Sequence, residues 1–585
     1  MSPIWLVRLG PWLIVVTTCA AFAIGLANPF TSWDDPLYIT NNTRILDPDI
    51  SAFIRLWNPR DALDGKFVEF FPLRDSVYWI VNRIFGMVPW PFHIVSLLAH
   101  TAVSVLVVVL ARALAFTPIE GVVAGLLFAL HPVHVESVAW VASLKDPLYL
   151  LFLLLSFISY IKYHHSKSHI YLAVSVALFV FSLLCKGFAI VMPLLVGAFE
   201  LTRPQRAPFA AIVARTAPFV CGAACAVGFF LTVSAANSII QAPHGGSHGA
   251  QAAMSVWCLV RYAELLVFPV RLRTVYDIDP LLGLDPRWLA ILALALAIVT
   301  AALWSFRRDR RFFFLGCWFF VLLAPTLNII PFPALMADRY LYGPSVAVAI
   351  ATASGLLHLR PRLAPALVVA TLCVYALGTV QRTAQWGSES SLWLEVRDDI
   401  PDDARVLVKV GDSIRRTGDL DEAASAYDAA LKARGGATPH IALRCHRILA
   451  DIHREQGRLV LALEHARAAV ALNTTASSSL ATADWTRLAG LLAALGKAAA
   501  AVDAQSRALE LAPDDARVRL LRALFRFEAG DFPGGREDFQ TALRSDPGIC
   551  DELRAWSALT PALAERVVDG ADAEVRRCVA PVTPT

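Results

Sequence analysis

Residues 254–270 read MSVWCLVRYAELLVFPV, an apolar run long enough to cross a bilayer but with Arg261 and Glu264 in its middle. Whether it crosses decides the side of everything after it. Lysine and arginine concentrate on cytoplasmic loops. The basic clusters here are Lys162 with Lys167, Arg203 with Arg206, the run Arg307, Arg308, Arg310 and Arg311, and Arg360 with Arg362. With the amino terminus inside, all four clusters share the inner side only if 254–270 lies along the interface. About eleven crossings then remain, at 10–28, 91–115, 118–131, 147–163, 169–184, 187–201, 213–235, 287–306, 311–327, 340–358 and 363–380. An odd count leaves the chain after 381 on the outer side.

Composition points to the same class. Of 585 residues 57% are hydrophobic and 17% charged, against roughly 45–50% and roughly 25% in soluble domains. A net charge of +4 is too near balance to suggest a nucleic-acid partner. The first run has a rival reading as a signal peptide, with Arg8 as its basic region and GLA before Asn28 as a cleavage site. The ten cysteines show no metal-ligand spacing. Cys445, Cys550 and Cys578 stand in the polar tail, where one disulfide fits an oxidising compartment.

That tail repeats. Gly418, Gly457, Gly496 and Gly530 are spaced by 39, 39 and 34 residues. Seven positions earlier stand Gly411, Ala450, Ala489 and Ala523, and twelve later Ala430, Ala469, Ala508 and Ala542. Five later come Ala423, Ala462, Ala501 and Gly535, and Pro513 and Pro547 close the last two units. Small residues at these offsets let antiparallel helix pairs pack closely, which is the signature of tetratricopeptide repeats. The expected fold is therefore all-α: a polytopic membrane helix bundle over 1–385, then an α-solenoid of about four repeats over 386–585 outside the membrane.

On this topology the polar residues beside the membrane collect on the outer side. They lie in the loop 28–90, in HPVHVESVAWVASLKDP (131–147), in LCKG (184–187), in the loop 236–286 and in PFPALMADRYLYGPS (331–345). The carboxylates are Asp34, Asp35, Glu136, Asp146 and Asp338, the cations Arg74, Lys145, Lys186 and Arg339, with His131, His134 and Tyr340 among them. Each has a bland reading: Asp35-Pro36 as turn chemistry, the histidines as helix-end groups, Lys186 and Arg339 as interfacial anchors, Glu136 as a partner for Lys145. Ionisable groups gathered at one set of helix mouths point instead to a functional site. His244 and His248 in HGGSHG lack a third ligand and read as a loop tip, and Asp277 with Asp279 in YDIDP reads as a turn.

The stretches SWDDPLYITNN, FFPLRDSVYW, HPVHVESVAWVASLKDPLYLLFLLLSF, LLCKG, RYAELLVFP, ADRYLYGPS and QWGSESSLW, with the repeats, resemble the transmembrane and tetratricopeptide-repeat protein O-mannosyltransferases, in particular shorter bacterial relatives. The resemblance implies a GT-C type glycosyltransferase bundle using a polyprenyl-phosphate sugar as donor substrate, with no other cofactor. An acidic pair on the first outer loop matches Asp34 and Asp35, and the chain departs from many relatives at Arg74, where they carry threonine. On that basis Asp34 is expected as base and Asp35 as its support. Arg74, Lys145, Lys186 and Arg339 are expected to hold the departing phosphate. His131, His134, Glu136, Asp146 and Tyr340 are assigned to positioning, and no metal is expected. The implied partners are the lipid-linked donor, membrane lipids and an acceptor or partner protein on the repeats. The implied place is a cell inner membrane with periplasmic repeats, or the endoplasmic reticulum with lumenal ones. Two other classes remain: a non-catalytic membrane-anchored scaffold, and a transporter of lipid-linked sugars. A transporter calls for polar residues along the middles of spans, and here they stand mainly at the outer ends.

Overall fold

The computed structural model describes residues 3–549 and 578, save 64–68, 204–207, 238–242, 277, 282–284, 332–333, 434–436, 474–477 and 547. Arg206, Asp277, Pro547 and Cys550 therefore lie outside the described residues. Those described contain helices and turns and no strand. Two compact units emerge, 1–396 and 397–585.

Every expected apolar run of the first unit is a helix. In order these are α1 (Pro3–Phe22), α2 (Pro72–Phe85) from the long loop, α3 (Pro89–Ala113), α4 (Pro118–Leu130), α5 (Val135–Ala139), α6 (Lys145–Ser166), α7 (His169–Cys185), α8 (Met192–Thr202), α9 (Phe209–Asn237), α10 (His248–Val267), α11 (Arg287–Arg308), α12 (Arg310–Leu323), α13 (Ser345–Leu357), α14 (Ala364–Gln385) and α15 (Glu389–Asp399). The count of eleven spans is not matched. Among the described residues six helical stretches are long and apolar enough to cross, and a seventh if Pro118–Leu130 and Pro132–Ala139 form one bent span. The difference is length: α4, α7, α8, α12 and α13 have 13, 17, 11, 14 and 13 residues, short of the roughly 20 that a crossing helix needs.

Local chemistry sets these ends. Thr117 caps α4 through a reciprocal pair with Glu120, whose carboxylate accepts from the Thr117 N–H at 2.7 Å, with Pro118 at the first helical position. Pro132, without an N–H to donate, ends the same helix, and the chain turns by 52° into the next piece. Gly125 allows α1, α3 and α4 to meet, since a Cβ there would lie 2.6 Å from Ile14 and 2.7 Å from Val108.

The stretch 254–270 falls mostly in α10. Met254, Cys258, Tyr262, Leu265 and Leu266 turn one face into a core with Leu323, Leu335, Met336 and Leu341. Arg261 and Glu264 pair with each other off that face, both partly exposed. The helix has 20 residues but is not among those apolar enough to cross.

The boundary between the units lies beyond Trp386, because α15 packs into the first unit. Trp386, Leu392, Trp393 and Val396 are buried, and Trp386 and Trp393 lie 6.4 and 5.5 Å from the Trp33 ring.

Among its described residues the second unit, taken by itself, contains four helix pairs: α16 (Ala404–Thr417) with α17 (Leu420–Lys432), α18 (Pro439–Glu455) with α19 (Leu459–Leu472), α20 (Ser478–Ala494) with α21 (Ala498–Leu511), and α22 (Ala516–Glu528) with α23 (Phe532–Ser545). The four periodic glycines sit in the turns within the pairs with φ of 93°, 72°, 72° and 85°, where a side chain would be strained. The small residues at the other offsets are buried where helices touch, and a Cβ on Gly411 would press the Tyr427 ring at 2.9 Å. Cys578 is disulfide-bonded, whereas Cys445 is a buried free thiol.

Candidate active site

One end of the helix bundle gathers the residues singled out above. The link begins at Asp35, fully buried just past the end of the first span. Its carboxylate accepts from the Thr31 N–H (2.7 Å), the Thr31 hydroxyl (3.1 Å) and the Ala142 N–H (2.9 Å). Asp35 thus clips the first loop to the turn before α6. Burial pushes it up to about 6, against the three hydrogen bonds that favour its charged form. Asp34, beside it, is only half-buried, so the pair divides into an anchoring carboxylate and an accessible one. Ser32 ties the same loop to Glu389 of α15, its hydroxyl donating at 2.6 Å.

Tryptophans back this loop. Trp33 stacks on Trp140 at 4.3 Å and 9°, and the Arg339 guanidinium lies 5.6 and 5.4 Å from the two ring centres. Arg339 pairs with Glu136 through its side chain and through its N–H at 2.9 Å, which fixes the 338–341 turn against α5. Behind it Asp338 accepts from the Tyr276 hydroxyl and lies 3.9 Å from Arg382. Burial, with Glu136 nearby, holds Asp338 well above the usual carboxylate range.

The other cations complete the ring. Arg74 is almost fully buried, with Nε and Nη2 on Asp75 at 2.8 Å and Nη1 on Glu69 at 2.7 Å. Lys145 donates to both oxygens of the same Glu69, at 2.8 and 3.0 Å. Lys186 pairs with Asp146, which also accepts from Ser143 at 2.8 Å. The Lys186 ammonium lies 4.2 Å from the Phe188 ring, which meets the Tyr340 ring at 6.0 Å. The four expected phosphate-holding cations are therefore neighbours, and each already faces a carboxylate.

His131 and His134 stand deeper. Nδ1 of His131 accepts from the Val133 N–H at 3.2 Å, so Nε2 carries the proton toward the Leu266 carbonyl at 3.1 Å. The His134 ring contacts the Phe128 carbonyl at 2.7 Å and the Ser345 hydroxyl at 2.8 Å. Both rings spend their nitrogens within the bundle and brace the bend after α4. Tyr340 donates to the Ala334 carbonyl at 3.3 Å, at the edge of the ring. His244 caps no metal cluster: among the described residues no group of three or more His, Cys, Asp or Glu is placed to hold an ion.

Several participants were not singled out in the sequence. Glu69 had one signal, a carboxylate in EFFPLRD five positions before Arg74. Trp140, Tyr276, Arg382 and Glu389 had none, since their partners lie tens to hundreds of positions away.

The family described as dolichyl-phosphate-mannose-protein mannosyltransferase matches residues 72–235, and that described as tetratricopeptide repeat matches 393–439, 411–477 and 486–548. The chain resembles the transmembrane and tetratricopeptide-repeat protein O-mannosyltransferases. It is 27% identical over 435 residues to protein O-mannosyl-transferase TMTC4 of Homo sapiens, covering 63% of this chain and 59% of that one. To TMTC1 of Homo sapiens it is 25% identical, covering 72% and 54%. To TMTC2 of Mus musculus it is 33% identical over 140 residues, covering 23% and 17%. The chain thus spans less than two thirds of the length of these relatives. The mannosyltransferase match encloses Arg74, Lys145 and Lys186, while Asp34, Asp35 and Arg339 lie outside it.

Proposed function

We infer that the chain is a membrane glycosyltransferase of GT-C type that moves mannose or a similar hexose from a polyprenyl-phosphate donor to a protein hydroxyl on the outer face. The observation that carries this is the gathering of four cations at one bundle end, three of them inside the mannosyltransferase match, against the loop that carries the half-buried Asp34, whose neighbours Trp33 and Tyr38 face Arg339, Arg74 and Lys145. Asp34 takes the proton of the acceptor hydroxyl as its oxygen bonds to the sugar C1. The bond from C1 to the phosphate oxygen breaks, and its electron pair leaves with the phosphate, which Arg74, Lys145, Lys186 and Arg339 stabilise. Asp35 holds the loop. Charge neutralisation falls to side chains, and the reading asks for no divalent metal.

In this reading the repeats face the periplasm or a lumen and present a groove to an extended acceptor or partner segment. The Cys578 disulfide supports an oxidising compartment. The test is direct: purified protein, a polyprenyl-phosphate hexose labelled in the sugar, and a Ser/Thr-containing protein acceptor. Label on the acceptor, released by β-elimination, is the expected result. No transfer with any lipid-phosphate hexose overturns it.

A further inference from the structure

The carboxylate that Arg74 and Lys145 share belongs to neither the expected catalytic pair nor the expected clamp. Glu69 bridges them from the outer loop, and its side chain is 23% exposed where those of Arg74 and Lys145 are 2% and 14% exposed. It is thus the most accessible member of the trio. The other sides are covered: the Tyr38 ring lies 4.6 Å from the Arg74 guanidinium and 5.2 Å from the Lys145 ammonium, and the Phe71 ring 5.3 and 5.8 Å. Asp75 holds the remaining edge of Arg74. Two cations and two carboxylates sum to zero, so an approaching anion meets no surplus positive charge. Although burial pushes Glu69 up, Lys145 and Arg74 bring it down to about 2, so it is ionised throughout the physiological range.

We propose that Glu69 is the resident counter-ion of the donor-phosphate site: its carboxylate is exchanged for the donor's phosphate and returns to expel the phosphate product. This rests on the reading that Arg74 and Lys145 hold phosphate. The charges fit the exchange. A lipid-phosphate sugar is a diester with one negative charge, equal to that of the carboxylate it displaces. The product is a monoester of higher charge, which the two cations would retain unless Glu69 competed for them. Glu69 thereby governs which anion enters and how fast the product leaves.

The experiment measures binding of a polyprenyl phosphate to the full-length protein in nanodiscs, together with steady-state transfer. Glu69→Gln should tighten phosphate binding by about tenfold or more, with lower kcat and lower KM for the donor. Glu69→Asp keeps the charge and should stay within about twofold of wild type. Lys145→Ala should weaken binding, which tests the underlying reading separately. If Lys145→Ala weakens binding while Glu69→Gln leaves it unchanged, the counter-ion role is overturned and the clamp stands. If neither moves it, the phosphate binds elsewhere and both fail. Equal tightening by Asp and Gln overturns the role of charge. Should Glu69→Gln not accumulate, the wild-type protein still decides: saturating polyprenyl phosphate should raise carbodiimide labelling of Glu69, and no rise overturns the exchange.

Discussion

At the end of the bundle where α6, α8 and α9 carry their basic residues, Glu200 is fully buried and surrounded. Tyr160 donates to it at 2.6 Å, His164 Nε2 lies at 2.7 Å, and Arg215 and Arg203 stand at 3.4 and 3.8 Å. At the opposite end Asp34 is half-buried, and the cations beside it face carboxylates and aromatic rings. Both ends bury charge, but one closes four donors around a single acid, and the other lines up exchangeable pairs beside an accessible acid. The Glu200 cluster joins α6 to α9 mainly through one carboxylate oxygen and acts as a staple between helices. In the proposed reading, paired charges with one accessible member trade partners during the reaction.

Breaking each end should therefore have different consequences. Asp34→Asn removes the proposed base and should lower transfer by about 10²–10⁴ while the protein accumulates normally in the membrane. Near-normal turnover with purified donor would return SWDDPLY to a turn. Glu200→Ala leaves the partly buried Arg203 and Arg215 without their acid, a loss bounded above by the about 3–5 kcal/mol of breaking a fully buried pair. Its expected signature is a lower melting temperature in detergent, with the turnover of the protein that remains folded close to wild type. If Glu200→Ala abolishes turnover without loss of stability, the staple reading fails and the two ends are not different in kind.

These two clusters also show what could be read from the chain. The solenoid was readable because its information is local: a glycine at positive φ and small residues at fixed offsets recur in each unit. The apolar helices were readable by hydropathy, yet not their number as crossings, because a run such as 187–201 becomes a short turn and an eleven-residue helix. The cations at the mouth could be named by their position at helix ends. Their partners could not, since the Asp35 contact spans 107 positions and the Arg339–Glu136 pair 203. Glu200 stood at the end of an apolar run, and its four partners come from α6, from α9 and from Arg203 just past its own helix.

Acidity sharpens the contrast. Asp35 is pushed up to about 6 from 3.8 by burial, so between those values the folded state holds a proton that the unfolded chain releases. Lowering the pH through that window favours the folded state, while it weakens the hydrogen bonds that the charged carboxylate accepts. Any loss of transfer there reflects chemistry rather than unfolding. The kcat/KM profile should fall on the acid side of pH about 6, by up to about tenfold per unit, and that limb should be absent from the residual profile of Asp35→Asn. An unchanged limb in the variant would assign it to another group.

The smallest effect concerns the repeats. They contain charge pairs such as Arg447–Asp484 at 2.6 Å and Arg522–Asp538 at 2.6 Å, whose carboxylates are buried and already paired, while acids such as Asp421 stand exposed beside exposed arginines. In the proposed reading this unit contributes binding, not bond-making, so removing it should spare a reaction that needs only the mouth. Deleting 397–585 should weaken transfer to a full-length protein acceptor by no more than about tenfold, or 1.4 kcal/mol, through a raised KM. Transfer to a short Ser/Thr peptide should change less. Equal losses on both acceptors would mean that the repeats stabilise the membrane unit, and the distinction between recognising and reacting regions would have to be withdrawn.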